Sequence, residues 1–459
     1  MARRVLAIIS LILLLSTMAQ AQSRPVSTGR SAALSKAAIT DSCSGADINL
    51  IWIDSTQYGL EPHVTDGTVA GTHLLKDLEP GREGSGAQDC FELQGQLYFQ
   101  TGRFVWRTNG SANGTTRIYS TPPGSFLGQM GYFRGRIYLV SSNELGATVY
   151  SFLPDGSDFQ PAYITPQGAA TKKELELTVG ADAVYILEYT LDHGGEVIGS
   201  KLIRTVGTRQ STSVVRGFDA ATGLTLTKFR DGLAFIEYAA RPKLWVGRGK
   251  EWNELSLRGY SFDALASFGV VNGRLILSGT LAAGEHLVLS TDGTQPGTIV
   301  LPLHAAVVAS HDVDDALYLD TTKDSHCQLW RTDGVSVTAV RLNVARAKCG
   351  YGIFEHRAEL TGKVIGAVDL KGGTTGLSVI TTNSLGQSSE QILLRDGGGN
   401  PSILGLSKQV IMQRALPDYS IERSHITDGT VDGTHPFEFE MDRHDSLAPQ
   451  SDKSPIKKL

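Results

Sequence analysis

Short apolar runs broken by polar or glycine-containing turns occupy most of this 459-residue chain. In Val270-Val271-Asn272-Gly273-Arg274-Leu275-Ile276-Leu277 two apolar stretches flank a polar turn. Gly131-Tyr132-Phe133-Arg134-Gly135-Arg136-Ile137-Tyr138-Leu139-Val140 has the same form. No long stretch keeps the 3.6-residue period of an amphipathic helix, so the pattern predicts short strands throughout. A third strand follows, with a large apolar residue three positions before an Asp or Asn (Trp106, Phe152, Leu289, Trp330). Then comes a turn, and a fourth strand such as Thr72-His73-Leu74-Leu75-Lys76.

The turn repeats. His63-Val64-Thr65-Asp66-Gly67-Thr68-Val69-Ala70-Gly71-Thr72-His73 returns as His425-Ile426-Thr427-Asp428-Gly429-Thr430-Val431-Asp432-Gly433-Thr434-His435, with shorter or altered copies at Asn109-Gly110, Asp155-Gly156, Asp292-Gly293 and Asp333-Gly334. Neighbouring copies are separated by about 40–50 residues, the period of four-stranded propeller blades. The two longer gaps hold degenerate units at Lys201-Leu202-Ile203-Arg204-Thr205, Lys243-Leu244-Trp245-Val246 and Gly376-Leu377-Ser378-Val379-Ile380-Thr381. A unit of this size cannot cover both faces of its own sheet, so neighbours must stack, and a closed ring leaves no long unpaired edge. The expectation is an all-β chain: a single β-propeller of about eight or nine four-stranded blades over residues 37–441.

In each turn the Asp or Asn oxygen can accept from the backbone just ahead, and the following Gly supplies positive φ. Asp66-Gly67, Asn109-Gly110, Asp292-Gly293, Asp333-Gly334 and Asp428-Gly429 are therefore read as structural. The competing reading is a ring of calcium-binding carboxylates. Asn109, a neutral amide at an equivalent place, and the non-acidic degenerate units argue against it, and no metal is expected.

Leu329-Trp330-Arg331-Thr332-Asp333-Gly334, with the Thr-Asp-Gly-Thr-x-x-Gly-Thr runs at 65–72 and 291–298, resembles the ELWxxDGT-type, hyalin-like repeat of secreted bacterial proteins. The resemblance implies a propeller-forming domain exported from the cell, in a family whose molecular activity is mostly unassigned. Gln328 stands in place of the repeat's Glu, and His63 and His425 stand in place of its Trp.

Residues 1–21 read as a secretory signal: Arg3 and Arg4, then an apolar run from Val5 to Leu15, then Ala19-Gln20-Ala21. Residues 22–36 read as a flexible lead and 442–459 as a flexible tail, and no later stretch reaches the length of a membrane span. A periplasmic or extracellular location follows. The formal net charge of −5 offers no basic footprint for nucleic acid.

Four cysteines suit an oxidising compartment. Cys43 and Cys90 each precede a turn and a strand in units one and two. Cys327 ends the connection between the second and third strands of unit seven, and Cys349 opens unit eight. The pairing expected is Cys43 with Cys90 and Cys327 with Cys349, and CxxC spacing is absent.

His63 and His425 sit in the first and last units, side by side once the ring closes. A seam metal or acid–base site is one reading, and two packed histidines replacing Trp is the plainer one. Asp320, Asp324 and His326 crowd one predicted loop, Asp320–Cys327; Glu188, Asp192, His193 and Glu196 crowd another, Glu188–Ser200. A third predicted loop spans Gln413–Ser424, and Tyr189 and Tyr419 are candidates to stack on a sugar or peptide. His311-Asp312-Val313-Asp314-Asp315 reads as a polar turn rather than a calcium loop. The chain carries no nucleophile elbow, zinc-protease helix or phosphate-loop motif. The reading is a non-catalytic recognition module, without a cofactor, for an extracellular glycan, peptide or surface protein. The alternative is an extracellular hydrolase or lyase using carboxylate or histidine chemistry at the propeller face.

Overall fold

A computed structural model describes residues 39–439, apart from 56, 82–83, 167–170, 220–222, 240, 324–325, 343–355, 371–373, 384–386, 397–399 and 416–420. The described chain is a β-propeller of nine blades, each a four-stranded antiparallel sheet whose strands follow chain order. The blades occupy 39–74, 87–120, 126–164, 172–219, 223–255, 262–301, 306–339, 356–396 and 400–436. The only helical element among the described residues is one 3-10 turn, Arg209–Ser211.

Second strands explain the runs of consecutive apolar residues. In blade one Leu50 and Trp52 pack with Leu97, Phe99 and Trp106 of blade two. Ile51 and Ile53 point the other way, onto Leu406, Ile411 and Ile426 of blade nine. Successive side chains of a strand face opposite sides, and both sides are covered by another blade. Burying one such Leu, Ile or Phe contributes about 1.5–3 kcal/mol, so the seams between blades carry most of the stability.

The ring closes without strand exchange, because the first and last blades each own all four strands. Polar bonds at that seam span nearly the whole chain. Ile39 N donates to Gln413 Oε1 (3.3 Å), Ser42 Oγ to the Gly405 carbonyl (3.0 Å), and Ser407 N to Asn49 Oδ1 (2.9 Å). Similar links join innermost strands elsewhere, as where Met130 N donates to Asp89 Oδ2 (2.7 Å). Cys43 and Cys90 are disulfide-bonded (Cα–Cα 6.0 Å), tying the innermost strands of blades one and two. Cys327 is also in a disulfide, and Cys349 lies outside the described residues.

The repeated turn joins the third and fourth strands and folds alike wherever it is intact. Thr68 N donates to Asp66 Oδ1 (2.8 Å), Ser111 N to Asn109 Oδ1 (3.1 Å), Thr294 N to Asp292 Oδ1 (2.9 Å) and Thr430 N to Asp428 Oδ1 (2.8 Å). Paired threonines brace each loop, with Thr65 Oγ1 2.7 Å from Thr72 Oγ1 and Thr427 Oγ1 2.7 Å from Thr434 Oγ1. These Asp and Asn side chains thus bond inward, to their own turn. Asp333 heads a shorter form, accepting from Val335 N (2.9 Å) and Ser336 N (2.8 Å).

The turn does more than reverse the chain: it leans on the preceding blade. Lys363 Nζ donates to the Asp428 carbonyl (2.8 Å), Asn272 Nδ2 to that of Asp333 (3.1 Å) and Arg274 Nε to that of Gly334 (2.9 Å). A Cβ on Gly67 (φ 89°) would sit 1.8 Å from Gln409 Oε1, across the closing seam. Gly is needed there twice over, for its positive φ and for the approach of blade nine.

Candidate functional site

The connections fall on two faces. First-to-second and third-to-fourth strand turns share one, called here the turn face; second-to-third strand turns and the links between blades share the other, the loop face. On the loop face a cleft of about 380 Å3 opens where blade six meets blade seven. The link after blade six supplies Pro302, Leu303 and His304. The second strand of blade seven (Ala316–Lys323) supplies Thr321 and Lys323, and the third (His326–Thr332) supplies His326, Gln328 and Trp330.

The floor is fixed by packing. Leu303 is buried with Leu301, Leu317 and Leu319, and Trp330 lies half-buried against them. Trp330 Nε1 donates to Thr321 Oγ1 (3.2 Å), which satisfies the indole and holds its plane. His304 Nδ1 stands 3.6 Å from Glu285 Oε1, and His326, Lys323 and Gln328 are exposed at the rim. An aromatic wall with a polar, mixed donor and acceptor rim suits a neutral or weakly charged polar ligand.

The two predicted acidic loops are not brought together. Asp192 and Glu196 share the turn of blade four, where Asp192 Oδ1 accepts from Gly194 N (2.8 Å) and Glu196 N (2.9 Å). Asp320 belongs to blade seven, three blades away. It lies inside a strand, not a loop, and is fully buried with its carboxylate 3.1 Å from Nε2 of the equally buried His311. Alternation decides this: Asp320 shares the face of Tyr318, which packs toward blade eight, whereas Thr321 faces the cleft. Asp324 and Tyr419 lie outside the described residues.

Glu188–Ser200 is likewise mostly strand, with only 192–196 as its turn. Glu188 is fully buried, accepts from the Tyr163 hydroxyl, and stands 3.5 Å from Lys173 Nζ and 3.6 Å from Lys201 Nζ. Tyr189 is half-buried among blade-five aromatics, its hydroxyl engaged by Glu176. Burial and the nearby Glu176 charge push its ionisation upward. It packs within the blade seam and presents no free ring. Of Gln413–Ser424, Gln413 and Ser424 are strand residues and 416–420 lie outside the described residues.

His63 lies within the third strand of blade one, with Nδ1 2.9 Å from the Glu61 carbonyl oxygen. Burial holds its imidazole below the ordinary histidine range. His425 lies in the matching strand of blade nine, between Met412 and Pro436. His311 also lies within a strand, and the turn after it is Asp314–Asp315.

Glu61 escaped notice in the sequence. It is fully buried, and accepts from Leu78 N (3.1 Å), Glu79 N (3.1 Å) and Ser85 Oγ (2.6 Å), fixing the link between blades one and two. Its donors lie more than a dozen residues away, so no local signal announces it. His304 and Lys323 were missed for the same reason, whereas His326 was noticed through its acidic neighbours.

No family model matches the chain, and no curated protein does. Among solved structures it is similar to prolyl endopeptidases, with TM-score 0.43 and 13% identity over 75% of this chain and 54% of theirs. It is similar to oligopeptidase B from Trypanosoma brucei, with TM-score 0.41 and 9% identity over 75% and 53%. It is similar to the WD40 domain of SCAP from fission yeast, with TM-score 0.40 and 12% identity over 83% and 93%. The chain spans about half the length of the two peptidases.

Proposed function

We propose that this chain is an exported, non-catalytic recognition module of the ELWxxDGT-repeat kind, binding an extracellular glycan, peptide or surface protein through its loop face. The observation that carries the reading is the cleft between blades six and seven, with Trp330 as its wall and Lys323, His326 and Gln328 at its rim. Rigid strands hold these side chains, so little conformational entropy is lost on contact. The Cys43–Cys90 bond supports an oxidising compartment.

The test is retention of the mature protein on a panel of cell-surface polysaccharides and peptides, with product release followed in parallel. Retention lost in Gln328→Ala and His326→Ala, without product release, supports the reading. Release of fragments that disappears on Glu196→Ala or Asp192→Ala replaces it with the hydrolase or lyase alternative. Export is checked by intact mass, which should begin at Gln22; a mature product retaining Met1 rejects it.

A further inference from the structure

On the turn face blade five departs from the repeat, and a cavity opens there. Blade five has no Asp-Gly-Thr loop: its third strand (Lys243–Arg248) turns into its fourth (Glu251–Leu255) through Gly249 and Lys250 alone. Beside this short turn lies a cleft of about 460 Å3, lined by Arg134 of blade three, Asp182 and Arg204 of blade four, and Arg248, Lys250 and Glu251 of blade five. Four cations face two carboxylates.

The cations outnumber the carboxylates, although Asp182 pairs with Arg204 and Asp231 with Arg248. Asp182 accepts from the Tyr185 hydroxyl (2.9 Å), Gly249 N (3.1 Å) and Arg204 Nε (3.2 Å), so it serves as a fixed bracket between blades four and five. Arg204 is thereby oriented, its Nη2 also donating to the Asp182 carbonyl (3.5 Å). Arg248 spends one terminal nitrogen on Asp231 Oδ2 (2.6 Å), a pair exposed on both sides. Arg134 stands on the face of Phe133 (5.1 Å from its centroid), which positions the guanidinium without consuming a donor.

We propose that this cleft is a binding site for a phosphate or sulfate group, carried by a sugar-sized ligand or present as the free ion. Guanidinium groups from three neighbouring blades line the cleft, and a guanidinium can present paired N–H groups to an oxyanion's oxygens. Paired strands flank all three, which fixes the backbone from which they reach. The site lies on the face opposite the cleft of blades six and seven and stands independently of it.

Calorimetry on the mature protein tests this with four probes at constant ionic strength: inorganic phosphate, inorganic sulfate, glucose 6-phosphate and glucose 6-sulfate, each against a sodium chloride control. Binding that weakens about tenfold in Arg134→Ala and again in Lys250→Ala, the loss of a charge-assisted bond each time, is the expected result. Both side chains are exposed, and an unchanged melting temperature shows that folding is intact. Tighter binding of the esters assigns a sugar-borne group, and equal binding of the inorganic ions assigns the free ion. No heat beyond chloride with any probe, or affinity unchanged in both variants, overturns the proposal.

Discussion

The two faces of the ring are built on opposite principles. On the turn face, loops headed by Asp66, Asn109, Asp292 and Asp428 repeat one hydrogen-bond scheme and clasp the preceding blade. On the loop face, the links between blades differ from one another in length and chemistry. Repetition thus marks what the ring needs in order to close, and departure from repetition marks where it leaves a cleft. Both clefts obey this, one among the unlike links at blades six and seven, the other where blade five lacks the loop.

The largest expected effect comes from removing the covalent tie. Cys43→Ala with Cys90→Ala releases a 47-residue separation and should cost about 4 kcal/mol on chain-entropy grounds. Chemical denaturation should show a lower midpoint, and an unchanged midpoint would mean that the seam of blades one and two holds without it.

Next is the clasp itself. Gly67→Val adds strain at φ 89° and a clash with Gln409, at a cost of about 1–3 kcal/mol for the backbone alone. On the loop face Gly195 (φ 80°) has nothing within 4 Å of an added Cβ, so Gly195→Val should cost only the backbone strain. Thermal melts of the two variants, with Gln409→Ala added to each, separate the terms: rescue of Gly67→Val alone is expected. Equal losses would remove the distinction between the faces.

A smaller change is expected at Asp292. Its carboxylate accepts from Thr294 N (2.9 Å) and Thr294 Oγ1 (2.7 Å). Asp292→Asn should be nearly neutral, as Asn109 already demonstrates, while Asp292→Ala should lose about 1 kcal/mol. If Asp292→Asn lost a stoichiometric calcium ion, the turn would be a ligand rather than a brace.

The smallest effect is with pH. Hydrogen bonds from Thr68, Thr294 and Thr430 hold Asp66, Asp292 and Asp428 below the usual carboxylate range. A depressed folded value means the contribution is fully present above the unfolded value, near 3.9, and is lost as pH falls through the folded one. Exposure to solvent keeps it small. Melting temperature should decline below about pH 4, less steeply in Asp292→Asn; a parallel decline in that variant would place the acid sensitivity elsewhere.

The blade count was legible because Asp-Gly turns recur at a fixed distance from an apolar third strand, and local chemistry enforces both. The degenerate third strands at Lys201–Thr205 and Lys243–Val246 were found by spacing alone. The site was less legible. Asp320 and Glu188 read as loop acids because polar residues interrupt apolar runs, yet each sits in a second strand covered on both faces.

Sequence alone therefore determined the repeating sheet, the turn that reverses it and the strand alternation, since these depend on residues within one unit. Tertiary structure alone decided which polar residues are buried, which blade each turn clasps, and where the ring leaves space. Glu61 acquires its environment from the link that follows its blade, and Arg134 and Arg248 meet from separate blades. Burial and electrostatic environment are properties of neighbours in space, and a closed ring sets those neighbours only when its last blade meets its first.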